Sequence, residues 1–205
     1  GLVGSEMCIR DRYLCGLIAA DGHIEKEGCV VIAQKDKRFI NVIVDLLEKA
    51  EVRVSSVFYD KNAGVWKIKI RDKEFLQYLL NNGLMPGRKY DKIKAPSVNP
   101  GSKLALAYLI GFIDGDGWVE QVVKRVRNRK RYYLRLGVKT KSKELRDWLY
   151  EVLERHNIRA NKADKKDGYE IHIDTLLAWK IASFLFNPKH KERLMNIRDD
   201  RVLRS

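Results

Sequence analysis

Histidine and cysteine are scarce in this 205-residue chain, which holds four of the first and three of the second. Cys8, Cys15 and Cys29 are odd in number and lack metal-ligand spacing, so neither a disulfide framework nor a zinc cluster is expected. Thiols left over in this way point to an intracellular, reducing compartment, a cytoplasm or an organelle. Nucleophilic chemistry of the Ser-His-Asp type finds no support. Long apolar runs are absent as well: the longest, Leu104 to Ile113, is far too short to cross a bilayer, so no membrane partner and no secretory signal are expected. Three of the four prolines, Pro86, Pro96 and Pro100, crowd into one stretch, 84–102, which reads as a linker. Acid is the minority charge. Forty-one Lys and Arg against 27 Asp and Glu leave +14 and a pI near 9.7, which suggests a polyanionic partner. With 45% hydrophobic residues the chain can bury one good core, or two small ones side by side.

What is present is a nine-residue stretch used twice. Leu14-Cys15-Gly16-Leu17-Ile18-Ala19-Ala20-Asp21-Gly22 is matched by Leu109-Ile110-Gly111-Phe112-Ile113-Asp114-Gly115-Asp116-Gly117. Each is an apolar helical run with small residues at its third and seventh positions, closed by an acid and a glycine. Gly16 with Ala20, and Gly111 with Gly115, are four apart and share a helix face, so two such helices can approach almost backbone to backbone. Gly22 and Gly117 stand where a left-handed residue ends a helix. Asp21 and Asp116 then fall at the negative end of the helix dipole, a poor place for a carboxylate unless a cation is bound. Packing of the two helices brings these acids side by side. Mg²⁺, which takes a few carboxylates with water and phosphate oxygens, matches such a pair.

The repeat continues beyond the motif. After Gly22 a hairpin (23–25 and 29–33) is followed by a helix capped by Asp36, two strands (52–59 and 65–71) and a helix capped by Asp72. After Gly117 a longer hairpin (118–126 and 131–140) turns through Arg127-Asn128-Arg129-Lys130. A helix capped by Ser142, strands near 160–163 and 169–173, a helix capped by Asp174 and a last helix, 191–203, complete the half. The acids are 95 apart (116 minus 21), Asp36 and Ser142 are 106 apart, and Asp72 and Asp174 are 102 apart, so 11 residues are inserted in the second hairpin. Each half reads αββαββα: an α+β protein of two repeats related by a pseudo-twofold axis, with strands forming an antiparallel saddle and helices on the opposite face. The units are 13–98 and 99–205. Residues 1–12 carry no clear period; the run from Leu2 to Asp11 resembles translated sequencing-adapter sequence, and the segment is expected to be functionally silent, with Asp11 free to cap the helix that follows.

Alternation along the strands puts charge on one face. Arg131, Tyr133, Arg135 and Lys139 alternate with Tyr132, Leu134, Leu136 and Val138; Lys67, Lys69 and Arg71 alternate with Trp66, Ile68 and Ile70. With Arg125 and Arg127 at the long hairpin, this basic face suits a duplex groove, where β-ribbons fit and phosphate contacts supply most of the affinity.

The doubled motif resembles the LAGLIDADG signature, and the chain from Tyr13 onward resembles a single-chain, two-motif LAGLIDADG homing endonuclease. That resemblance implies a monomer that cuts both strands of a long, nearly asymmetric double-stranded DNA site, leaving 3′ overhangs. It implies a divalent metal, Mg²⁺ with Mn²⁺ as a substitute and Ca²⁺ supporting binding without cleavage. Asp21 and Asp116, with the carbonyls of Ala20 and Gly115, would hold it. Gln34, Lys89 and Lys191 match the polar and central basic positions that assist the acids, and Lys35, Arg38 and Lys141 lie beside them; Thr140 stands opposite Gln34 and departs from the pattern. At the sixth motif position the two copies differ, Ala19 against Asp114; in the family activity rests on the eighth, so no consequence is expected. The same scaffold also serves RNA maturases, with a structured intron RNA as partner, and catalytically silent DNA-binding regulators.

Overall fold

The computed structural model describes residues 2–87 and 90–202, with side chains from Cys8 onward except Tyr90. Two helices form its centre, α1 (Leu2–Asp21) and α4 (Lys103–Asp116). Leu14, Cys15, Leu17, Ile18 and Ala19 of α1 are all buried, as are Tyr108, Leu109, Phe112 and Ile113 of α4; helices apolar on every side belong inside a core. Their contact is at backbone level. A Cβ on Gly16 would sit 2.0 Å from the Tyr108 carbonyl oxygen, and one on Gly111 would sit 2.0 Å from that of Tyr13. Gly111 minus Gly16 and Tyr108 minus Tyr13 are both 95, so the two collisions are the same contact seen from either side of a pseudo-twofold axis.

Around this pair each half folds alike. The first adds β1 (Gly22–Ile24), β2 (Val30–Gln34), α2 (Lys37–Lys49), β3 (Val54–Asp60), β4 (Val65–Ile70) and α3 (Lys73–Asn81). The second adds β5 (Trp118–Val126), β6 (Arg129–Thr140), α5 (Lys143–Arg155), β7 (Asn161–Lys165), β8 (Gly168–Ile173), α6 (Leu177–Ala182) and α7 (Pro188–Met195). Both sheets are antiparallel with four strands, ordered β1-β2-β4-β3 and β5-β6-β8-β7. Phe39, Ile40, Ile43 and Leu47 of α2 and Leu145, Leu149, Val152 and Leu153 of α5 press on one side of these sheets, where Ile32, Ile68, Leu136 and Ile171 complete the core. The insertion lengthens the second hairpin as expected: β5 has 9 residues and β6 has 12, where β1 has 3 and β2 has 5. It closes through two residues only, Arg127 and Asn128, both at positive φ, a turn whose twist matches that of the strands.

Caps Asp36, Asp72 and Ser142 are in place, each side chain accepting from a backbone N–H of the first turn. Four expectations are corrected. Gly22 and Gly117 are not left-handed caps. Gly117 is extended (φ −83°, ψ −179°), Gly22 is outside the positive-φ set, and helix passes directly into strand. Glycine is needed there for closeness, since a Cβ on Gly117 would lie 2.7 Å from the carbonyl oxygens of Ile113 and Gly137. Asp11 caps nothing, because α1 is already helical from Leu2 and Asp11 lies within it. Asp174 does not cap α6, which begins at Leu177 without a side-chain cap; its carboxylate is taken by Arg135 instead. The last helix is short, ending at Met195. The chain after it lays Asp199 and Asp200 along β6, where they accept from the N–H groups of Leu134 and Tyr132 at 3.1 and 2.9 Å. No helix among the described residues is long and apolar enough to cross a membrane.

Candidate paired-acid site and nucleic-acid interface

The parallel packing of α1 and α4 brings their C-terminal ends together. A Cβ on Gly115 would lie 2.7 Å from the Ala20 Cβ and 3.5 Å from the Asp21 Cβ, so the two motif ends are in contact. Asp21 and Asp116 line one cleft of about 420 Å³, shared with Ala19, Ala20, Phe112, Ile93 of the linker, Lys139 and Thr140 at the end of β6, Lys141 just beyond it, and Asp167 of the turn between β7 and β8. Burial, and then the charge of Asp116, push the Asp21 carboxyl up to about 7. Burial also raises Asp116, which is the more exposed of the two, and the Lys139 ammonium pulls it back. The Gln34 amide Nε2, at the end of β2, donates to Asp21 Oδ2.

This donor set fits a hard divalent cation. Two oxygen ligands whose ionised forms are disfavoured by burial and mutual repulsion are relieved by positive charge between them, and backbone carbonyls of Ala20 and Gly115 lie at the same helix ends. Among the described residues no group of three or more His, Cys, Asp or Glu side chains could enclose an ion, so a metal here would draw the remainder of its ligands from water or substrate.

Not every residue named from sequence reaches the cleft. Lys191, on α7, lines a separate groove with Ile9, Arg10, Tyr13, Phe184 and Phe186, its ammonium 6.0 Å from the Phe186 ring; that groove shares no residue with the cleft of Asp21 and Asp116. Arg38 bonds Asp36, and its other nitrogen pairs with Glu192 of α7 at 2.5 Å, so it ties one half to the other. Lys89 lies outside the described residues. Lys139 and Lys141, assigned from sequence to the binding face, are the ones that enter.

The outer sheet face is less uniformly basic than alternation suggested. Residues opposite one another in the ladder share a face, so Glu120 with Arg135, Val122 with Tyr133 and Lys124 with Arg131 stand outward together. Arg135 binds Asp174 in a fork at 2.6 and 3.0 Å and reaches Glu120 at 3.4 Å. Lys124 also reaches Asp174, at 3.2 Å; Lys67 pairs with Asp60 at 2.6 Å, Lys69 with Glu25 at 3.7 Å and Lys139 with Asp167 at 2.5 Å. Arg201 stacks 4.8 Å over the Tyr133 ring. No ion pair within 4 Å among the described residues holds Lys35, Arg71, Arg125, Arg127, Arg131 or Lys141.

One cluster was missed altogether. Asp114 is fully buried, and its Oδ2 accepts from the Tyr13 hydroxyl at 2.6 Å and the Phe186 N–H at 2.7 Å. Its Oδ1 accepts from the Asn187 N–H at 3.2 Å and faces His190 Nδ1 at 3.1 Å. Burial and this carboxylate push the Tyr13 hydroxyl well above its ordinary pKa, so it stays a donor. The signal in the sequence was the mismatch of Ala19 with Asp114, an acid in an apolar helix that has to find buried donors.

Comparison with known proteins agrees with this architecture. The family model for a LAGLIDADG-like domain matches residues 9–82 and again 103–182. I-DmoI in complex with DNA and Mn is 18% identical, with a TM-score of 0.58 over 87% of this chain and 97% of that one. I-WcaI bound to its DNA recognition sequence is 17% identical, with a TM-score of 0.59 over 91% and 86%. The N-terminal LAGLIDADG domain of DUF199/WhiA is 14% identical, with a TM-score of 0.56 over 90% and 87%. These likenesses show the fold. A curated relative from Methanopyrus kandleri, a subunit of its A-type ATP synthase, is 29% identical over 151 residues; these are 69% of this chain but 14% of that protein, so the chain spans about a seventh of its length. The two segments matched by the family model take in both copies of the nine-residue motif and all eight strands: this chain belongs to the LAGLIDADG-like domain family.

Proposed function

We propose that this protein is a site-specific DNA endonuclease that makes a divalent-metal-dependent double-strand break, with 3′ overhangs, at a long target site. The observation that carries the reading is the pair of carboxylates, Asp21 and Asp116, at adjacent helix ends in one cleft under two antiparallel sheets. Both repeats are in one chain, so one molecule supplies both acids and acts as a monomer, in a reducing intracellular compartment. When bound, Mg²⁺ supplies Lewis-acid activation of the phosphate and of the attacking water, with Mn²⁺ as a substitute and Ca²⁺ supporting binding only. I-DmoI has been solved with Mn, Mg and Ca, in line with this choice.

The chain's own groups have distinct parts. Asp21 and Asp116, with the carbonyls of Ala20 and Gly115, would hold the metal, each acid serving the centre that cuts one strand. Gln34 orients the Asp21 carboxylate through its amide, and the Lys139 ammonium opposes the upward shift that burial gives Asp116. Lys35 and Lys141, which follow the last residues of β2 and β6, stand on the two flanks and contact phosphates. Water attacks phosphorus in line; the bond to the 3′ oxygen breaks, leaving a 5′ phosphate and a 3′ hydroxyl. On the open sheet face, Arg125, Arg127, Arg131 and Arg71 supply cations free of ion pairs, and phosphates displace Asp174 and Asp60 from Arg135 and Lys67.

The second reading is a DNA-binding regulator that does not cut. Its support is the likeness to the N-terminal LAGLIDADG domain of DUF199/WhiA. Intron RNA maturase action on the same surface is a third reading, favoured by no observation of its own. A randomised double-stranded target library, incubated with Mg²⁺ or Ca²⁺, separates the first two. One long sequence cleaved in Mg²⁺, bound but intact in Ca²⁺, and uncut by the D21N/D116N double variant is the expected result. Tight binding to a library member with no cleavage in either metal favours the regulator.

A further inference from the structure

His190 is buried between the Asp114 hub and the end of α4. Its Nδ1 lies 3.1 Å from Asp114 Oδ1, and its Nε2 lies 3.2 Å from the carbonyl oxygen of Gly117, the residue that follows Asp116. A carbonyl only accepts, so Nε2 carries a hydrogen and donates. The Gly117 N–H is meanwhile donated to Ile113 at 2.8 Å. Both backbone polar groups next to the acid are thus held, one by its own helix and one by α7. The α7 helix is itself fixed at its start by the Asp114 carboxylate, which takes the N–H groups of Phe186 and Asn187, and by Asn187 Nδ2 on the Asp114 carbonyl at 3.0 Å.

Among the described residues the first repeat shows no such device. Ala19 occupies the place of Asp114 (114 minus 95) and offers no acceptor in its side chain. There the chain after α3 is held through backbone, by a bridge between Ile24 and Pro86 and by the Gly87 N–H on the Ile24 carbonyl at 2.8 Å. The two acids are therefore equivalent in the motif and unequal in how their backbones are anchored.

We propose that His190 is a positioning residue for Asp116 alone: by gripping the Gly117 carbonyl from an α7 docked on Asp114, it sets one of the two metal-holding carboxylates. Groups that orient a metal ligand from behind commonly change affinity or activity by about 10- to 100-fold. In the nuclease this falls on one strand, because only one of the two centres depends on the grip.

Two amide replacements divide the histidine's bonds. H190N keeps an amide where Nδ1 faces Asp114 and loses the reach to Gly117; H190Q keeps a donor at the distance of Nε2. Two readouts are taken on the full chain, and only the second rests on the nuclease reading. Amide exchange of Gly117, followed by NMR on the metal-free protein, is expected to quicken at least tenfold in H190N and to stay within twofold of the parent in H190Q. On a supercoiled plasmid carrying the site recovered from the library, H190N is expected to cut one strand about 10- to 100-fold slower, so that nicked circles accumulate. H190Q is expected to linearise the plasmid like the parent. Equal slowing of both strands in H190N, or equal Gly117 exchange in the two variants, overturns the proposal, since loss of general packing does not choose a strand. If the parent protein cuts no library member, the nuclease reading fails, and Gly117 exchange alone decides the role of His190.

Discussion

The backbone contact at the centre of the molecule makes a sharp prediction for Gly16→Ala. The added Cβ meets the Tyr108 carbonyl oxygen at 2.0 Å and its carbon at 2.8 Å, where ordinary contact begins near 3.4 Å. Neither atom belongs to a flexible side chain, so relief requires the helices to part by about 1.4 Å (3.4 minus 2.0). A gap of that size forfeits much of the dispersion energy along the interface, and overpacking in a close-packed core costs about 1–3 kcal/mol. With backbone on both sides the upper end applies, about 3 kcal/mol, which for a chain of this length lowers Tm by roughly 6–12 °C. Gly64→Ala is the control: nothing lies within 4 Å, and only its φ of +67° opposes a side chain, at about 1 kcal/mol. Gly111→Ala, the symmetric partner, is expected to match Gly16→Ala. Because one separation of the helices accommodates both methyls, the double variant should lose clearly less than the sum of the two singles. Thermal unfolding followed by circular dichroism measures all four. A Tm for Gly16→Ala no lower than that of Gly64→Ala, or full additivity in the double, would refute the backbone-level contact.

Three further outcomes follow from the charges. Asp21 has its pKa raised to about 7 from an ordinary 3.8, so its ionised form is disfavoured in the fold; metal-free stability is unaffected below pH 4, falls as pH rises from 4 to 7, and stays low above. Asp21→Asn should therefore raise Tm at pH 8, leave it unchanged at pH 4 and abolish cleavage; equal effects at both pH values count against a strained acid. Lys139→Met removes the charge that opposes burial at Asp116, so the acidic limb of the cleavage pH–rate profile should move to higher pH, and an unmoved limb would show that Lys139 does not act on this acid. Asp174→Asn releases Arg135 and Lys124 to phosphates: fluorescence anisotropy on non-specific DNA should show tighter binding and a log–log salt slope steeper by about one per freed cation, against no change if these pairs persist on DNA.

Local chemistry was legible in the sequence because its partners are close along the chain. A cap needs a side chain two or three residues from the N–H it accepts, so Asp36, Asp72 and Ser142 were found. Asp174, of the same residue type, was misread because Arg135 lies 39 positions away and outcompetes the helix end. Alternation told which face Arg135, Lys67 and Lys139 occupy, but not that Asp174, Asp60 and Asp167 arrive beside them from other strands and turns. Lys191 was placed by its spacing from Pro188, yet α7 docks through Asp114 on the flank of α4, which carries the lysine to a different groove.

Legible along the chain were the doubled αββαββα plan, the close pairing of two glycine-faced helices and the meeting of Asp21 with Asp116. Apolar periodicity, small residues four apart and a constant offset leave one arrangement in which both motifs are buried. Tertiary structure alone decided which charges are free, where the last helix lies, and that Asp114 joins Tyr13 to His190 behind the acid. Those are contacts between side chains 39 to 101 positions apart, and no pattern along the chain encodes a distance across it.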